Sequence, residues 1–136
     1  MARRIEHIAV AVKDVKASVK LFETLLGMKG SDIETLPEEH VKVAFFELEG
    51  SHLELVQGIG SDSPMSTFIE RRGEGLHHIC VEVEDLPQTL ELLHAAGFPL
   101  IDRVPKAGSR GRRVAFVHPK GCSGVLIELV EQPSRA

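Results

Sequence analysis

The pattern of apolar and polar residues near the start of the chain changes once, from a strand-like to a helix-like period. Residues 5–12 alternate between apolar side chains and small or polar ones, which predicts a β-strand with one face in the core. From Val15 onward, apolar side chains recur every three or four positions, which predicts a helix with one buried stripe. Asp14 is placed to cap this helix and Gly27 to end it. The chain therefore opens with a strand followed by a helix.

A second copy of this pattern follows after the midpoint of the chain. The segment IEHIAVAVKDV at 5–15 matches LHHICVEVEDL at 76–86, and the second helix again has an aspartate cap, Asp85, and a glycine stop, Gly97. Strand-like segments follow each helix, and the last strand of each copy contains the letters ELV. Such self-similarity indicates a repeated structural unit, here a strand, a helix and two or three further strands.

Two βαβββ modules predict an α+β fold. Module one spans about residues 4–57 and module two about 75–131, and the linker 58–74 contains a helix start at Ser63 and Pro64. Neither module has enough core to be stable alone. We therefore expect residues 1–136 to form a single domain, in which the two repeated modules form a curved mixed sheet around a cleft.

Strand alternation places a histidine and a glutamate at matching positions of the two copies. His7 and His78 begin the first strand of each copy, and Glu54 and Glu128 lie in the ELV strands. All four should point away from their apolar neighbours, beside small side chains such as Ala9 that leave space. Two imidazoles and two carboxylates suit a divalent transition metal, so a metal-binding cleft is one interpretation. Packing can also retain repeated residues, and the repeat alone leaves both interpretations open.

Composition and charge exclude several other classes of function. The chain is 43% hydrophobic and 26% charged, with a formal net charge of -4, which argues against a nucleic-acid partner. The two cysteines lack the CxxC spacing of metal sites and suit a reducing, cytoplasmic setting. No apolar run is long enough to span a membrane, and we see no signal peptide.

Three longer segments resemble the methylmalonyl-CoA epimerase family of the vicinal oxygen chelate superfamily, which has the glyoxalase-like fold. These segments are RIEHIAVAVKD, DSPMSTFIERRGEGLHHICVEV and RVAFVHPKGCSGVLIELVE. The resemblance runs from about Arg4 to Glu131, and GEGLHHI is among its most specific parts. It implies epimerisation of (2S)- and (2R)-methylmalonyl-CoA, by removal and return of the C2 proton through a metal-stabilised enolate.

The resemblance also implies a metal site and a partner. Matched residue by residue, the divalent metal would be held by His7, Glu54, His78 and Glu128, with Glu128 also serving as a catalytic acid–base. Cobalt is the first expectation for this metal, with manganese, nickel or zinc as alternatives. An acyl-CoA substrate and a homodimer are expected as well.

The sequence departs from the family at the second acid–base. Some members have a glutamate on the third strand of the first module, where this chain has Val43, which cannot move a proton. Glu47 is a candidate by strand alternation alone.

The basic loop 103–114 and the turn after it could bind CoA phosphates through Arg110, Arg112 and Lys120, although a solvated loop is the alternative.

The remaining histidines and one glutamate are predicted to have structural or solvent-exposed roles. His77 should lie on the core side of its strand, because adjacent strand residues point to opposite faces. The turn at His118 is also read as structural. Surface positions are expected for His40, His52, His94 and Glu82.

Other functions on the same fold remain open. A glyoxalase I-type lactoylglutathione lyase needs the same metal and proton chemistry, so the ligand set alone does not exclude it. An extradiol dioxygenase would use two histidines and one carboxylate, which leaves the fourth candidate ligand unexplained. A non-catalytic drug-binding module is a third alternative. Such modules often lack the ligands and use aromatic-lined pockets, whereas this chain has no Tyr or Trp and only six Phe.

Overall fold

The computed structural model describes residues 1–108 and 111–133. Strands and helices follow one another along the chain in the predicted order. Their bounds are β1 (Ala2–Ala11), α1 (Val15–Leu26), β2 (Glu34–Leu36), β3 (Val41–Leu48), β4 (Ser51–Gly58), α2 (Pro64–Arg72), β5 (Gly75–Val83), α3 (Leu86–Ala95), β6 (Lys106–Ala107), β7 (Arg113–Val117) and β8 (Ile127–Glu131). Each copy thus has the βαβββ order that the sequence repeat predicts, with α2 between the two copies.

The chain forms two compact units whose borders do not coincide with the two sequence copies. The amino-terminal unit is Ile8–His77, and the carboxy-terminal unit is Met1–His7 together with the described residues from His78 onward. Hydrogen-bonded strands follow the order β2-β3-β4-β1 in the amino-terminal unit and β1-β5-β8-β7-β6 in the carboxy-terminal unit. Because β5 and β8 are parallel while β7 and β8 are antiparallel, the pairing is mixed, and the predicted α+β class is confirmed.

One core of the amino-terminal unit lies under α1. Asp14 caps this helix by accepting hydrogen bonds from the backbone N–H groups of Lys16 and Ala17, and Gly27 ends it with φ 65°. The helix packs its apolar stripe on the sheet, and the buried cluster there comprises Val12, Val15, Ala44, Phe46 and Leu55. Alternation on β1 and periodicity on α1 are therefore realised as predicted.

The opposite face of this unit is covered by α2. Ala9 and Ala11 are fully buried beneath Met65, Phe68 and Ile69. The space that we expected beside Ala9 is therefore filled, because the linker helix packs its apolar residues there. A glycine allows the close approach: a Cβ atom on Gly58 would lie 2.5 Å from the backbone nitrogen of Ser66 in α2.

The carboxy-terminal unit has its own core under α3. Asp85 caps the helix by accepting a hydrogen bond from the backbone N–H of Gln88, and Leu86 and Leu90 are buried against the sheet. The cluster also includes Val83, Ala115, Val117 and Leu129. Among residues 1–108 and 111–133, no helix is both long and apolar enough to cross a bilayer.

Candidate metal centre

Three of the predicted ligands lie on neighbouring strands of the carboxy-terminal unit. His7 lies on β1, His78 on β5 and Glu128 on β8, and these strands are hydrogen-bonded in that order. The parallel pairing of β5 with β8 places Cys80 opposite Glu128. Because His78 is two residues before Cys80, His78 and Glu128 lie on the same face of the sheet. Strand order and register thus bring together side chains that are far apart in the sequence.

The donor atoms of these three side chains form a small triangle. The two histidine Nε2 atoms are 3.1 Å apart. Oε1 of Glu128 lies 3.4 Å from Nε2 of His7 and 3.0 Å from Nε2 of His78. The side chains are only 11–13% exposed, so all three donor atoms are held close together with little access to water.

This geometry fits a divalent metal ion. Ligand atoms about 2.0–2.2 Å from a metal and at right angles to each other are separated by about 3 Å, close to the observed triangle. Neutral imidazole and ionised carboxylate form a donor set that suits cobalt, nickel, zinc, iron or manganese. His7, His78 and Glu128 can therefore hold a metal ion with little rearrangement of the backbone.

Glu128 is ionised at neutral pH. Burial alone would raise its pKa, but hydrogen bonds with His7 and His78 and the charges of those imidazoles outweigh it, and the pKa is lowered to about 2. An ionised carboxylate is the form that a metal ligand or a general base requires.

The wall beside the triangle is apolar. Phe116 is paired with Glu128 across β7 and β8, and its ring packs edge-to-face with that of His78 at a centroid distance of 5.8 Å. Cys80 is 1% exposed, and burial raises the pKa of its thiol to about 11, so this thiol is neutral at pH 7. The thiol of Cys80 also forms a hydrogen bond with His7, so a polar group lies beside the three ligands.

Glu54, the remaining predicted ligand, belongs to the amino-terminal unit. It lies on β4 opposite Phe45, with its side chain on the same face as Val56. His52 is on this face too, and the prediction that it is a surface residue is wrong. It is 7% exposed and packs edge-to-face against Phe45, with ring centroids 5.1 Å apart.

The two candidate positions for a second acid–base lie on β3. Val43 is 1% exposed within an apolar cluster, so this position offers no proton-transferring group. Glu47 lies on the same face, paired with His52, and is exposed.

The basic residues predicted to bind CoA phosphates have different environments. Arg110 lies outside the described residues. Lys120 is exposed in a turn that His118 caps through its Nδ1 atom, as a structural reading of His118 predicts. Arg112 is half-buried, and its guanidinium donates to the backbone oxygen of Glu131 and to the carboxylate of Glu82.

Glu82 itself corrects one prediction. We expected a solvated side chain at the end of β5, but Glu82 is 4% exposed and accepts hydrogen bonds from Arg112 at 2.8 Å and Arg4 at 3.1 Å. Strand alternation identified its face correctly but could not reveal that arginines from β1 and the loop before β7 meet it there. His77, in contrast, has the predicted packing role, since its ring lies edge-to-face on Phe68 with a centroid distance of 4.8 Å.

Comparison with known proteins places the chain in a family. The profile of the Glyoxalase/Bleomycin resistance protein/Dioxygenase superfamily matches residues 6–116. The chain belongs to this superfamily.

Within the Glyoxalase/Bleomycin resistance protein/Dioxygenase superfamily, the chain is similar to epimerases. It is 36% identical over 131 residues to the ethylmalonyl-CoA/methylmalonyl-CoA epimerase of Cereibacter sphaeroides, which covers 95% of this chain and 98% of that protein. It is also 36% identical over 127 residues to the mitochondrial methylmalonyl-CoA epimerase of Mus musculus, covering 93% of this chain and 71% of that protein.

The fold is also that of a solved epimerase structure. A variant of Streptomyces coelicolor methylmalonyl-CoA epimerase, in complex with 2-nitronate-propionyl-CoA, superposes with a TM-score of 0.87 at 30% identity, covering 98% of this chain and 97% of that chain. The resemblance predicted from the sequence is therefore confirmed, as is the glyoxalase-like fold.

Proposed function

We propose that the protein is a metal-dependent epimerase that interconverts (2S)- and (2R)-methylmalonyl-CoA. The observation that carries this proposal is the triangle of His7, His78 and Glu128, a donor set that fits a divalent metal, in a chain whose relatives are epimerases of this substrate class. In addition, a solved methylmalonyl-CoA epimerase that is 31% identical to this chain contains methylmalonyl-CoA.

We propose Glu54 as the fourth ligand. The support is the sequence repeat, in which Glu54 corresponds to Glu128 as His7 corresponds to His78. Two carboxylates would offset the charge of a divalent ion, and six-coordination would leave positions for substrate oxygens. Cobalt is the metal that we propose first, with manganese, nickel or zinc able to occupy the same donors.

The reaction needs proton transfer at C2 of the substrate. This proton lies between a thioester and a carboxylate, so its removal leaves an enolate with charge on the thioester oxygen. A bound divalent metal supplies Lewis acidity for that charge. Glu128 is ionised at neutral pH, and we propose that its carboxylate accepts the C2 proton on one face of the substrate, within hydrogen-bond reach.

Epimerisation also requires proton return to the opposite face of C2. Val43 cannot serve, because it has no titratable group. Glu47 is four residues after Val43 and therefore lies on the same face of β3. We propose its carboxylate as the second acid–base group.

Substrate binding and assembly complete the proposal. Arg110 and Lys120 are proposed to contact the CoA phosphates. Arg112 is proposed too, and its guanidinium would then exchange a bond to Glu82 or Glu131 for one to a phosphate oxygen. We further propose a homodimer that acts in the cytoplasm.

A paired substrate test separates this function from its nearest alternative. Metal-loaded protein is incubated with (2R)-methylmalonyl-CoA, and separately with the hemithioacetal of methylglyoxal and glutathione. We expect (2R)-methylmalonyl-CoA to be converted to a mixture of diastereomers, which chromatography separates. We expect no thioester product from the hemithioacetal. Thioester formation without conversion of methylmalonyl-CoA would replace the proposal by a lactoylglutathione lyase.

Variants at the adjacent histidines show whether the assigned site performs the reaction. His78→Ala should abolish conversion and metal binding, because it removes a ligand. His77→Gln should retain both, because the ring of His77 packs against Phe68 and is not one of the proposed ligands. The reverse result would mean that the assigned strand register is wrong.

A further inference from the structure

The imidazole of His7 is held from both sides. Its Nε2 atom faces His78 and Glu128, while its Nδ1 atom lies 2.7 Å from Oε1 of Glu6. An ionised carboxylate can only accept a hydrogen bond, so Nδ1 must be the donor. A neutral His7 ring then keeps its proton on Nδ1, because Glu6 at 2.7 Å is the nearer carboxylate and Glu128 at 3.4 Å from Nε2 is the farther one. Nε2 of this neutral ring has the lone pair, whereas the hydrogen bond from Nε2 that lowers the pKa of Glu128 belongs to the doubly protonated ring.

The carboxylate of Glu6 is itself fixed by two arginines. Its second oxygen, Oε2, lies 3.5 Å from Nη1 of Arg112 and 3.7 Å from Nη2 of Arg4. Both arginines also bind Oε2 of the buried Glu82, at 2.8 Å and 3.1 Å. The two oxygens of Glu6 therefore have separate partners, with Oε2 directed to the cations and Oε1 to His7.

Burial strengthens this arrangement. The side chains of Glu6, Glu82 and Arg112 are 13%, 6% and 17% exposed, so water competes little for their hydrogen bonds. Arg112 is further anchored by two bonds to the backbone oxygen of Glu131 at 2.9 Å and 2.6 Å. A buried, charge-assisted network of this kind is costly unless each member is paired, as these members are.

We infer that Glu6 is a positioning residue, which fixes the tautomer and orientation of His7 so that Nε2 is presented to a metal ion. This inference deepens the proposed function and rests on the metal site assigned there. Glu6 does not belong to the triangle and acts only through His7. Outer-sphere carboxylates that accept from a metal-binding histidine orient the ring and raise its basicity as a ligand.

The inference is tested first without metal. In metal-free protein at pH 8, ¹⁵N NMR of the histidine rings should show His7 with its proton on Nδ1. Glu6→Ala should shift this ring towards the Nε2-protonated tautomer, which is the more stable form for a free imidazole. Glu6→Gln retains an acceptor oxygen and should keep the wild-type tautomer, whereas a general disturbance of the strand would alter both variants.

Metal affinity is the second readout. Titration with Co²⁺, followed by calorimetry, should show binding about 10- to 100-fold weaker in Glu6→Ala than in wild type, with Glu6→Gln in between. Glu84→Gln is the matched control. It removes a carboxylate that pairs with Arg3 on β1, and it should bind Co²⁺ as wild type does.

The outcomes distinguish this inference from the proposed function. An unchanged His7 tautomer in Glu6→Ala overturns the inference, as does Co²⁺ affinity within about 2-fold of wild type. If wild type binds no Co²⁺, Mn²⁺, Ni²⁺ or Zn²⁺, the proposed metal site fails, and the NMR measurement alone then decides the role of Glu6.

Discussion

At the scale of single residues, the candidate site holds one buried group charged and another neutral. Glu128 is buried yet charged, because two imidazoles offset the cost of removing its carboxylate from water. Cys80, two positions from His78, is buried and neutral. The neighbouring strands β8 and β5 thus hold the Glu128 carboxylate in its charged form and the Cys80 thiol in its uncharged form.

The lowered pKa of Glu128 predicts how stability depends on pH in metal-free protein. A carboxyl group whose pKa is about 2 when folded, against an ordinary 4.5, stabilises the fold above pH 4.5, and this contribution is lost as pH falls towards 2. Urea unfolding should show wild type more stable than Glu128→Gln by on the order of 3 kcal/mol at pH 7, with the difference shrinking below pH 4.5. Glu70→Gln, at an exposed position of α2, should show no such trend. A constant difference across this range would contradict the lowered pKa.

The two cysteines should differ in reactivity. Burial raises the pKa of Cys80 to about 11, so its thiolate is about 100-fold scarcer than for an ordinary thiol, and it is also shielded from reagents. Cys122 is less buried. Burial also raises the pKa of Cys122, although this thiol is the more accessible one. With Ellman's reagent at pH 8, the Cys80→Ser variant should react through Cys122, while Cys122→Ser should react many-fold more slowly until urea is added. Equal rates would show that Cys80 is accessible.

At the scale of elements, the repeat in the sequence predicted more than any single segment did. The matching strands, the aspartate caps and the short helix between the copies could all be derived from hydrophobic period and capping residues. The structure adds the packing of α2 on Ala9 and Ala11, which periodicity does not reveal, because it shows which face of a strand is apolar but not which element covers the other face.

The two aspartate caps should contribute similar amounts to the free energy of unfolding. Asp14 accepts two backbone hydrogen bonds at the start of α1, and Asp85 accepts one at the start of α3. Asp14→Ala and Asp85→Ala should each lower the free energy of unfolding by about 1 kcal/mol in urea titrations. Asp62→Ala, in an exposed turn, should change it by less than about 0.5 kcal/mol. A cap variant as mild as this control would mean that its helix does not depend on the cap.

At the scale of the whole molecule, the sequence predicted which candidate ligands lie close together better than it predicted their surroundings. His7, His78 and Glu128 could be selected from the repeat and the family resemblance, and the structure brings them together. The buried positions of Glu82 and His52 could not be predicted, because they depend on partners distant in the sequence: Arg112 for Glu82 and Phe45 for His52. The partnership of Glu6 with His7 was likewise missed, since adjacent strand residues are expected to point apart.

Metal binding should stabilise the folded protein as a whole. A ligand that binds only the native state, at a concentration 100 times its Kd, adds about 2.7 kcal/mol of stability, which for a chain of this size raises Tm by about 10 °C. Calorimetry with and without Co²⁺ should show this rise in wild type and in His94→Ala, an exposed control on α3. His78→Ala should show no more than a small rise. An equal rise in His78→Ala would locate the stabilising metal elsewhere.

The proposed function requires that this protein moves the C2 proton of methylmalonyl-CoA at the assigned site. The most direct measurement is ¹H NMR of the substrate in deuterated water, with metal-loaded wild type and with metal-loaded Glu128→Gln. We predict that wild type replaces the C2 proton by deuterium at a rate proportional to enzyme concentration, and that Glu128→Gln does so at least 100-fold more slowly. Retention of the C2 proton with metal-loaded wild type, or equal exchange by Glu128→Gln, would contradict the proposed function.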